Sequence, residues 1–565
     1  MLNLANRGTF ATLLDAVTLR EPDDKPAIIF IATENEPVIV SRREISERIR
    51  ATGAALSALN IRPRDLVVIA HTQNLESIYA FWGVMMLGAI PSMFPTLTEK
   101  LDPGVYMRSM AELVRLSNVA AVLTTDEFAT QLSSNVSCPV YSSRDLQQAF
   151  DRRDNIASGE LRPSASDSDI AFLQHSSGTT GLQKGVALSH TAVLNQIAAY
   201  SEAIALTEND VIVSWLPLYH DMGLIAGFLL PLLQGIPLVL MSPFDWVQHP
   251  ALLLKAIHQY RGTLCWLPNF AYNHCARRIR RRDSEDLSLN SMRLFINCSE
   301  PVRHDSHQLF LQRFKDNGVR PEMLGVSYAM AENTFAVTQT SPGRPARLDY
   351  IQQRELEQNR RASPADSQDP AAEIRVSCGP PIPGSEIRIV DEDGHSLPDR
   401  HVGQIALHSP YLLTGYYLRP DLEPFIDGWY MTSDLGYIAD GEVYVIGRSK
   451  DLIINAGKNI YPQDIEAVVN EVPGVHAGRA VVFGVPDERE GTELLAVVAE
   501  VRTQDEAEQQ SIRRAIRLAV VHQTSVTVSY IHLVGPKWLL KTSSGKIARS
   551  ANREKWIKEV RDGKD

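Results

Sequence analysis

The sequence predicts an α/β protein, because short apolar runs recur along the chain and helical patterns separate them. The runs lie at residues 26–32, 65–71, 120–125, 170–178, 211–217 and 235–241, and turn residues bound each of them. Strands that alternate with helices form parallel sheets covered on both faces. The chain of 565 residues is long enough for several domains. We therefore expect parallel sheets in a protein of more than one domain.

The segments around these strands carry their own signals. The letters FATLLDAVTLREPDDKP before the first run predict an amphipathic helix that ends at turn residues. The stretch from Gly223 to Met241 is apolar, but Gln234, Pro231 and Pro237 interrupt it. Because proline disrupts a helix interior, this stretch predicts a buried helix followed by a strand, and no membrane span.

The composition excludes several classes of protein. Hydrophobic residues make up 44% of the chain and charged residues 22%, as in ordinary globular proteins. The formal net charge of −11 argues against a nucleic-acid binder, so any bound phosphate must be held locally. Five cysteines without a CxxC pair suggest neither a disulfide framework nor a zinc site. Because the first ten residues lack the continuous apolar stretch of a secretory signal, we expect a cytoplasmic protein.

The second half of the chain contains a polar excursion and then a change of texture. The excursion, residues 341–375, looks too charged to form a core and predicts a surface segment with one short helix. A compact unit of strands and helices follows, in which a helix begins at Pro462. We place a domain boundary near Lys450, with a body at 1–449 and a lid at 450–565.

A candidate phosphate-binding turn, SSGTTGLQKG, follows the predicted strand at 170–178. It offers Ser176, Ser177, Gly178, Thr179, Thr180, Gly181 and Lys184 as ligands. The backbone amides of such a turn, with hydroxyls and one cation, can surround the oxygens of a polyphosphate. The spacing is not that of a Walker loop, which disfavours a P-loop kinase or NTPase. Taken alone, the segment reads equally well as a flexible surface turn.

Five further motifs follow this turn along the chain. They are WLPLYHD at 215–221, SYAMAE at 327–332, YMTSD at 430–434, GRSKD at 447–451 and KTSSGK at 541–546. In this order the motifs resemble the ANL superfamily of adenylate-forming enzymes. The resemblance implies a large body of two α/β subdomains and a small β-barrel-like subdomain, with a small mobile α+β C-terminal domain. It also implies that a carboxylate and ATP, with Mg²⁺, give an acyl adenylate and pyrophosphate.

The resemblance assigns residue roles that suit this chemistry. Attack of a carboxylate on the α-phosphorus brings negative charges together, so cations and oriented donors must surround the transition state. Lys546 matches the family lysine that bridges the substrate carboxylate and the α-phosphate, and Glu332 matches the Mg²⁺ ligand. Tyr328 would stack on adenine, and Asp434 would accept hydrogen bonds from both ribose hydroxyls. Arg448 would bind the nucleotide beside Asp434 as a cation. Outside this context, each reads as an ordinary surface or core residue.

Two more residues take roles from the resemblance. His220 borders the acyl site in the family and joins Lys546 and Glu332 as a candidate catalytic residue. Its neighbour Asp221 suggests a dyad, but adjacent side chains rarely point at each other, and no GxSxG elbow supports a serine hydrolase. Lys450 falls at the family's hinge, about which the lid would rotate from an adenylation pose to a transfer pose. A solvated linker lysine is the alternative interpretation.

Within the superfamily, three stretches resemble fatty acyl-AMP ligases: WLPLYHDMGL, PNFAYNHCARR and KDLIINAGKNIYPQDIE. The polar excursion also falls where that subfamily carries an insertion thought to restrict lid movement and the use of CoA. The resemblance therefore favours transfer of the acyl group to the phosphopantetheine thiol of an acyl carrier protein. Apolar residues at 222–233 and 266–272 would suit a medium or long fatty acid, although they read equally well as core.

Two rival interpretations stay open. An acyl-CoA synthetase would share the first half reaction and use CoA as the acceptor. A non-catalytic nucleotide or lipid binding protein would keep the fold, but such a protein needs no transition-state cation such as Lys546. One basic run, RRIRRR from Arg277 to Arg282, is either a solvated helix end or a docking site for an acidic carrier protein.

Overall fold

The computed structural model describes most of the chain between residues 10 and 561. The described ranges are 10–18, 23–33, 35–97, 103–151, 165–175, 184–455, 458–487, 492–524, 526–542 and 545–561. Among the helices of these ranges, none combines the length and the apolar character needed to cross a bilayer.

The first part of the body is built around a four-stranded parallel sheet. The elements of residues 10–151 are α1 (Leu13–Thr18), β1 (Pro26–Ile31), β2 (Val38–Ser41), α2 (Arg42–Ala58), β3 (Leu66–Ala70), α3 (Leu75–Met86), β4 (Ile90–Phe94), α4 (Pro103–Leu116), β5 (Ala121–Thr124), α5 (Asp126–Ser133), β6 (Val140–Ser142) and α6 (Ser143–Asp151). The strand order is β4-β3-β5-β6, and every pair is parallel. All residues of β3 are buried, as expected for a strand covered on both faces.

The second part of the body is a seven-stranded sheet to which β1 and β2 also belong. The elements of residues 165–330 are β7 (Ile170–His175), β8 (Gly185–Ser189), α7 (His190–Ala203), β9 (Ile212–Ser214), a π-helix (Met222–Leu229), α8 (Leu230–Gln234), β10 (Leu238–Met241), α9 (Pro243–Gln248), α10 (Ala251–Tyr260), β11 (Leu264–Leu267), α11 (Asn269–Arg278), β12 (Leu294–Asn297), α12 (His304–Phe314) and β13 (Leu324–Val326). The strand order is β13-β12-β11-β9-β10-β1-β2, and only the edge pair of β1 and β2 is antiparallel. The apolar stretch after Gly223 is a buried helix followed by β10, as predicted.

The predicted strand at 170–178 departs from the parallel arrangement that we expected. β7 pairs with β8 in antiparallel register, with Leu173 opposite Ala187. A parallel pair needs a crossover of roughly a dozen or more residues, and the chain between β7 and β8 is too short for one. The last residues of the predicted strand, from Ser176 onward, lie outside the described residues.

The third part of the body is antiparallel and includes the polar excursion. Its elements are β14 (Leu348–Gln352), α13 (Gln353–Asn359), β15 (Ala372–Val376), β16 (Glu386–Val390), β17 (Gly403–His408), β18 (Gly415–Tyr416), β19 (Phe425–Ile426), β20 (Trp429–Ala439) and β21 (Glu442–Arg448). β16, β17, β20, β19 and β21 form one five-stranded sheet, whereas β18 pairs with β8. This sheet occupies the position of the expected small β subdomain.

The polar excursion contributes to a core, which corrects our expectation. It holds the predicted short helix, α13, but also the antiparallel pair of β14 and β15. Ile351, Leu356 and Ala362 are fully buried in one apolar cluster with Tyr437 and Tyr461. Ile351, Leu356 and Ala362 therefore give the excursion a buried side that its charged average composition conceals, whereas Ile374 is exposed.

The last part of the chain forms its own α+β unit. Its elements are β22 (Ile453–Asn455), β23 (Lys458–Ile460), α14 (Pro462–Glu471), β24 (Val475–Asp487), β25 (Thr492–Val501), α15 (Glu506–Thr524), β26 (Tyr530–Val534) and α16 (Arg549–Trp556). The helix predicted to begin at Pro462 is confirmed. A buried apolar cluster joins α14 and α15 to the sheet of β24, β25 and β26, and it runs from Ile453 to Leu533. The boundary at 449/450 stays a prediction.

Candidate active site

The candidate site lies where parallel strands of the large sheet end. β9, β11, β12 and β13 are neighbours in the sheet, so their carboxyl ends meet at the same edge. The segments that leave this edge carry His220 after β9, Glu300 after β12 and Tyr328 after β13. Ligands of open α/β sheets bind outside such carboxyl ends. The fold thus brings motifs that are far apart in the sequence to one place.

A hydrogen-bonded cluster joins Tyr328 to the antiparallel sheet. The Tyr328 hydroxyl donates to Asp434 Oδ2 at 2.7 Å, and Arg448 Nε lies 3.4 Å from Asp434 Oδ1. Asp434 and Arg448 face each other on β20 and β21. Burial raises the pKa of Asp434, although Arg448 and the Tyr328 hydroxyl oppose that rise. The three residues predicted to hold adenine and ribose are therefore in one contact network, and their roles stay predictions.

Glu332 lies beside two tyrosines that the motifs did not include. It is part of a 3-10 turn, Ala331–Asn333. The Tyr416 hydroxyl donates to Glu332 Oε1 at 3.2 Å and is 3.1 Å from the Tyr430 hydroxyl. Burial raises the pKa of the Glu332 carboxyl. Glu332 is partly buried, and among the ion pairs of the described residues none includes it, so this hard-oxygen donor suits a divalent cation such as Mg²⁺.

His220 and Asp221 are in contact, contrary to our expectation for adjacent residues. His220 Nδ1 lies 2.6 Å from Asp221 Oδ1, although the angles are not those of a hydrogen bond. Asp221 precedes the π-helix, and its Oδ1 accepts the Met222 amide at 2.8 Å. Burial alone would raise the pKa of Asp221, but His220, Lys546 and that amide together lower it.

Lys546 belongs to a tight loop of the lid. Lys541 and Ile547 form an antiparallel bridge, and the Thr542 amide donates to the Lys546 carbonyl at 2.7 Å. Gly545 has a φ of 84°, the left-handed region that favours glycine, so this position explains the glycine of the SSGK motif. Ser543 and Ser544 lie outside the described residues.

The charge of Lys546 acts on three carboxyl groups of the body. It contributes to lowering the pKa values of Asp221, Glu300 and Asp434, in each case against the effect of burial. Glu300 had not been singled out in the sequence. Its Oε2 accepts the Phe270 amide at 2.9 Å, and Lys541 of the same lid loop also acts on it. The lid lysine and the carboxyls at the sheet edge are thus within electrostatic reach of each other.

The phosphate-binding turn is described only at its end. Ser176, Ser177, Gly178, Thr179, Thr180 and Gly181 lie outside the described residues. Lys184, the last predicted ligand, has its Nζ 4.8 Å from the centre of the Tyr416 ring, a cation–π distance. Because Tyr416 also binds Glu332, the predicted phosphate cation and the predicted Mg²⁺ ligand share one neighbour.

The excursion and the segment after β12 both contact the lid. Asp464 of α14 accepts a hydrogen bond from Arg375 at 2.9 Å and one from Arg303 at 3.2 Å. Arg303 also donates to the Gln463 carbonyl at 2.8 Å. These contacts were not predicted: Asp464 falls in the stretch KDLIINAGKNIYPQDIE, but its partners Arg303 and Arg375 are far from it in sequence.

A second contact joins the excursion helix to the lid. Asn459 of β23 donates to the carbonyl of Glu357 at 2.9 Å and accepts from Arg360 Nε at 3.2 Å. Body and lid therefore meet at the excursion through polar contacts at Asn459 and Asp464. Apolar packing joins them as well, because Tyr461 of the lid lies in one buried cluster with Ile351, Leu356 and Ala362 of the excursion.

The predicted hinge residue Lys450 lies in a 3-10 turn, Ser449–Asp451, directly after β21. Burial lowers the pKa of Lys450, and the nearby Arg448 adds to that effect. The following residue, Asp451, is paired with Arg549, which also binds both oxygens of Glu466 at 2.9 and 3.0 Å. The turn is thereby attached to the lid on its C-terminal side, and the role of Lys450 as a hinge stays a prediction.

The apolar residues suggested for an acyl tunnel are tightly packed. Residues 222–233 are all buried, and Trp266 and Tyr272 are fully enclosed in the main core. Within the π-helix, a Cβ at Gly223 would lie 2.1 Å from the Pro217 carbonyl oxygen, so only glycine fits there. The choice between acyl pocket and core for these residues stays open.

The site brings together the motifs on which the resemblance to adenylate-forming enzymes rests, and comparison with known proteins agrees with that resemblance. A family model described as AMP-binding enzyme matches residues 14–417. The chain belongs to this family, the ANL superfamily of adenylate-forming enzymes. The match confirms the predicted superfamily, the acyl-adenylate-forming activity and ATP as the nucleotide.

Individual relatives are similar over nearly the whole chain. The medium-chain-fatty-acid–acyl-carrier-protein ligase JamA of Moorena producens is 32% identical, over 98% of this chain and 96% of the relative. The long-chain-fatty-acid–AMP ligase FadD26 of Mycobacterium bovis is 31% identical, over 87% of each chain. A fatty acyl-adenylate ligase from L. pneumophila, solved with acyl adenylate and pyrophosphate, is 30% identical, covers 97% of this chain and 96% of its own, and has a TM-score of 0.73. The predicted fold class and the likeness to fatty acyl-AMP ligases are confirmed.

Proposed function

We propose that the protein activates a medium-chain or long-chain fatty acid as its adenylate and passes the acyl group to the phosphopantetheine thiol of an acyl carrier protein. The observation that carries the proposal is that Tyr328, Asp434 and Arg448 form one contact network and that the charge of Lys546, a lid residue, acts on Asp434 within it. A lid cation in this position can serve the transition state of adenylation. The names of the JamA and FadD26 relatives support the acyl substrate.

In the first half reaction, a carboxylate oxygen of the fatty acid bonds to the α-phosphorus of ATP. The bond from that phosphorus to the pyrophosphate oxygen breaks, and pyrophosphate leaves with the electron pair. Lys546 would neutralise charge on the entering oxygen and the α-phosphate, and Lys184 would neutralise charge on the phosphates. Tyr328, Asp434 and Arg448 would hold the nucleoside. Mg²⁺ held at Glu332 would neutralise phosphate charge when bound.

The contacts of the excursion support a carrier protein as the acceptor. A rotation of the lid about Lys450 would have to break the bonds of Asp464 to Arg303 and Arg375 and those of Asn459 to Glu357 and Arg360. A protein partner can offset that cost with its own contacts to the body and lid, whereas CoA has far less surface with which to do so. This is the physical reason for preferring the carrier.

The test is pyrophosphate exchange with a panel of fatty acids, followed by offering each acceptor separately. We expect exchange with medium or long acids, and acyl transfer to a holo carrier protein in preference to CoA. Lys546→Ala should slow exchange at least about 10²-fold, by analogy with the loss of one oxyanion donor. If none of the fatty acids supports pyrophosphate exchange, the result would favour a non-catalytic binding protein. Efficient acyl-CoA formation by the wild type would favour an acyl-CoA synthetase.

A further inference from the structure

One exposed side of helix α11 combines an aromatic residue with a series of basic ones. Phe270, His274, Arg277 and Arg278 lie at i, i+4, i+7 and i+8, so they share one side of the helix, which we call the α11 face. Phe270 is 44% exposed, and both arginines are exposed. Arg278 contributes to lowering the pKa of His274, after burial, which agrees with their position on the same side.

The apolar end of the α11 face continues onto helix α9. Phe244 is 44% exposed and Val247 is 38% exposed, and His274 Nε2 is 3.2 Å from the Val247 carbonyl. Beneath them Trp246 is fully buried, with its ring centre 6.1 Å from that of Phe270. Three large apolar side chains are thus exposed over a rigid aromatic base, which is the composition of an interaction site.

The other end of the α11 face is strongly basic, in a chain whose net charge is −11. Arg280 and Arg282 beyond the helix end share Asp283, at 2.8 and 3.8 Å. In the part of the chain that the structure describes, Arg277, Arg278 and Arg281 have no ion-pair partner within 4.0 Å. Their charges therefore remain available to an acidic partner.

We propose that the α11 face is the surface on which the acyl carrier protein docks, an inference that rests on the proposed function. Carrier proteins are acidic, so their charge is complementary to Arg277 and Arg278. Phe270, Phe244 and Val247 provide the apolar contacts that such a docking site needs at its centre.

The position of the α11 face relative to the active site supports this partner. Phe270 is near the start of α11, at the sheet edge where the candidate site lies, and Arg277 is about 10 Å further along the helix. The Phe270 amide binds Glu300, and Lys546 acts on that same carboxyl. A partner on this face would therefore have its apolar contacts beside the adenylate and its acidic contacts further away.

The test measures acyl transfer to a holo acyl carrier protein that the wild type loads. Arg277→Glu with Arg278→Glu should lower kcat/KM for the carrier at least about tenfold at low salt, and the difference should shrink as salt screens the charges. Phe270→Ala should lower it by roughly the same factor with little salt dependence. When the enzyme carries Arg277→Glu and Arg278→Glu, a carrier whose acidic surface residues are replaced by lysine should recover part of the transfer rate.

The controls separate docking from catalysis. Arg108→Glu with Arg115→Glu on α4 makes the same change in net charge at two exposed arginines and should leave transfer unchanged. Pyrophosphate exchange and transfer to free pantetheine should keep their wild-type rates in the two arginine double variants. The proposal is overturned if both α11 variants transfer the acyl group to the carrier at the wild-type rate. It is also overturned if the arginine double variant of α11 loses pyrophosphate exchange by the same factor as carrier transfer. Absence of carrier loading by the wild type would instead contradict the proposed function.

Discussion

Substitution of Asp464 by asparagine is the sharpest test of how the lid is held. Asp464 is the single lid carboxylate that two body arginines share, Arg303 at 3.2 Å and Arg375 at 2.9 Å, among the described ion pairs. Asparagine keeps the size and one oxygen acceptor but removes the charge. Arg375 retains Glu373 as a partner, so the substitution leaves no isolated buried cation.

The magnitude follows from the exposure of the three side chains. A hydrogen bond to a charged group contributes about 1.5–3 kcal/mol, against about 1 kcal/mol for a neutral one. The Arg375 side chain is only 11% exposed, but those of Asp464 and Arg303 are 21% and 35% exposed, so solvent reduces the loss. We expect the closed lid to lose about 1–2 kcal/mol, which is roughly a 5- to 30-fold shift toward open positions.

The assay compares acyl-CoA formation with pyrophosphate exchange in the same preparation. If lid contacts at Asp464 limit the use of CoA, Asp464→Asn should raise the acyl-CoA rate by roughly 5- to 30-fold and lower exchange by no more than that factor. Asp24→Asn is the matched control, because Asp24 pairs with Arg43 at 2.9 Å in an exposed bridge far from any lid contact in the sequence. An unchanged ratio of acyl-CoA formation to exchange would refute the reasoning.

Three further predictions concern the nucleotide, the metal and pH. Asp434→Asn should raise the KM for ATP roughly tenfold or more, measured by pyrophosphate exchange at varied ATP. The Tyr328 hydroxyl keeps an acceptor in this variant, because asparagine retains one side-chain oxygen. An unchanged KM would contradict the proposed contact of Asp434 with the ribose. Tyr416→Phe removes a donor to Glu332, about 1 kcal/mol, and should lower exchange roughly fivefold with a higher Mg²⁺ requirement, which a Mg²⁺ titration would detect. Burial raises the pKa of Glu373 from its ordinary 4.5 to about 7, so the stability that protonated Glu373 gives the folded protein is fully present below 4.5 and is lost as the pH rises through 7. The free energy of unfolding, measured by denaturant titration, should therefore fall over that interval, and Glu373→Gln should remove this part of the pH dependence.

The sequence predicted those site residues that stand in contiguous motifs. Tyr328, Asp434 and Arg448 were named from three separate motifs, and the structure joins them in one network. β13, β20 and β21, which precede or carry these residues, were not among the predicted apolar runs, so the motifs alone identified the three residues. The pairing that places Asp434 opposite Arg448 was not predicted.

Residues that act through tertiary contacts could not be found in this way. Tyr416 lies on a two-residue strand that pairs with β8, and nothing in its own segment indicates that Glu332 is its partner. The contact of His220 with Asp221 was wrongly discounted, because the start of the π-helix, which aligns Asp221 with the Met222 amide, is not visible in the sequence. Geometry created by an irregular helix is beyond any rule of spacing.

The lid is held to the body by charges of opposite sign at two places. At the active site the lid supplies the cation, Lys546, and the body supplies carboxyls; at the excursion the lid supplies Asp464, and the body supplies arginines. On the proposed function, departure of pyrophosphate removes negative charge near Lys546 and weakens the first attraction. The second attraction is unaffected by the reaction, because Arg303 and Arg375 contact no substrate in this scheme. The acceptor must therefore provide the free energy that separates Asp464 from them, and this requirement favours a protein partner over a small thiol.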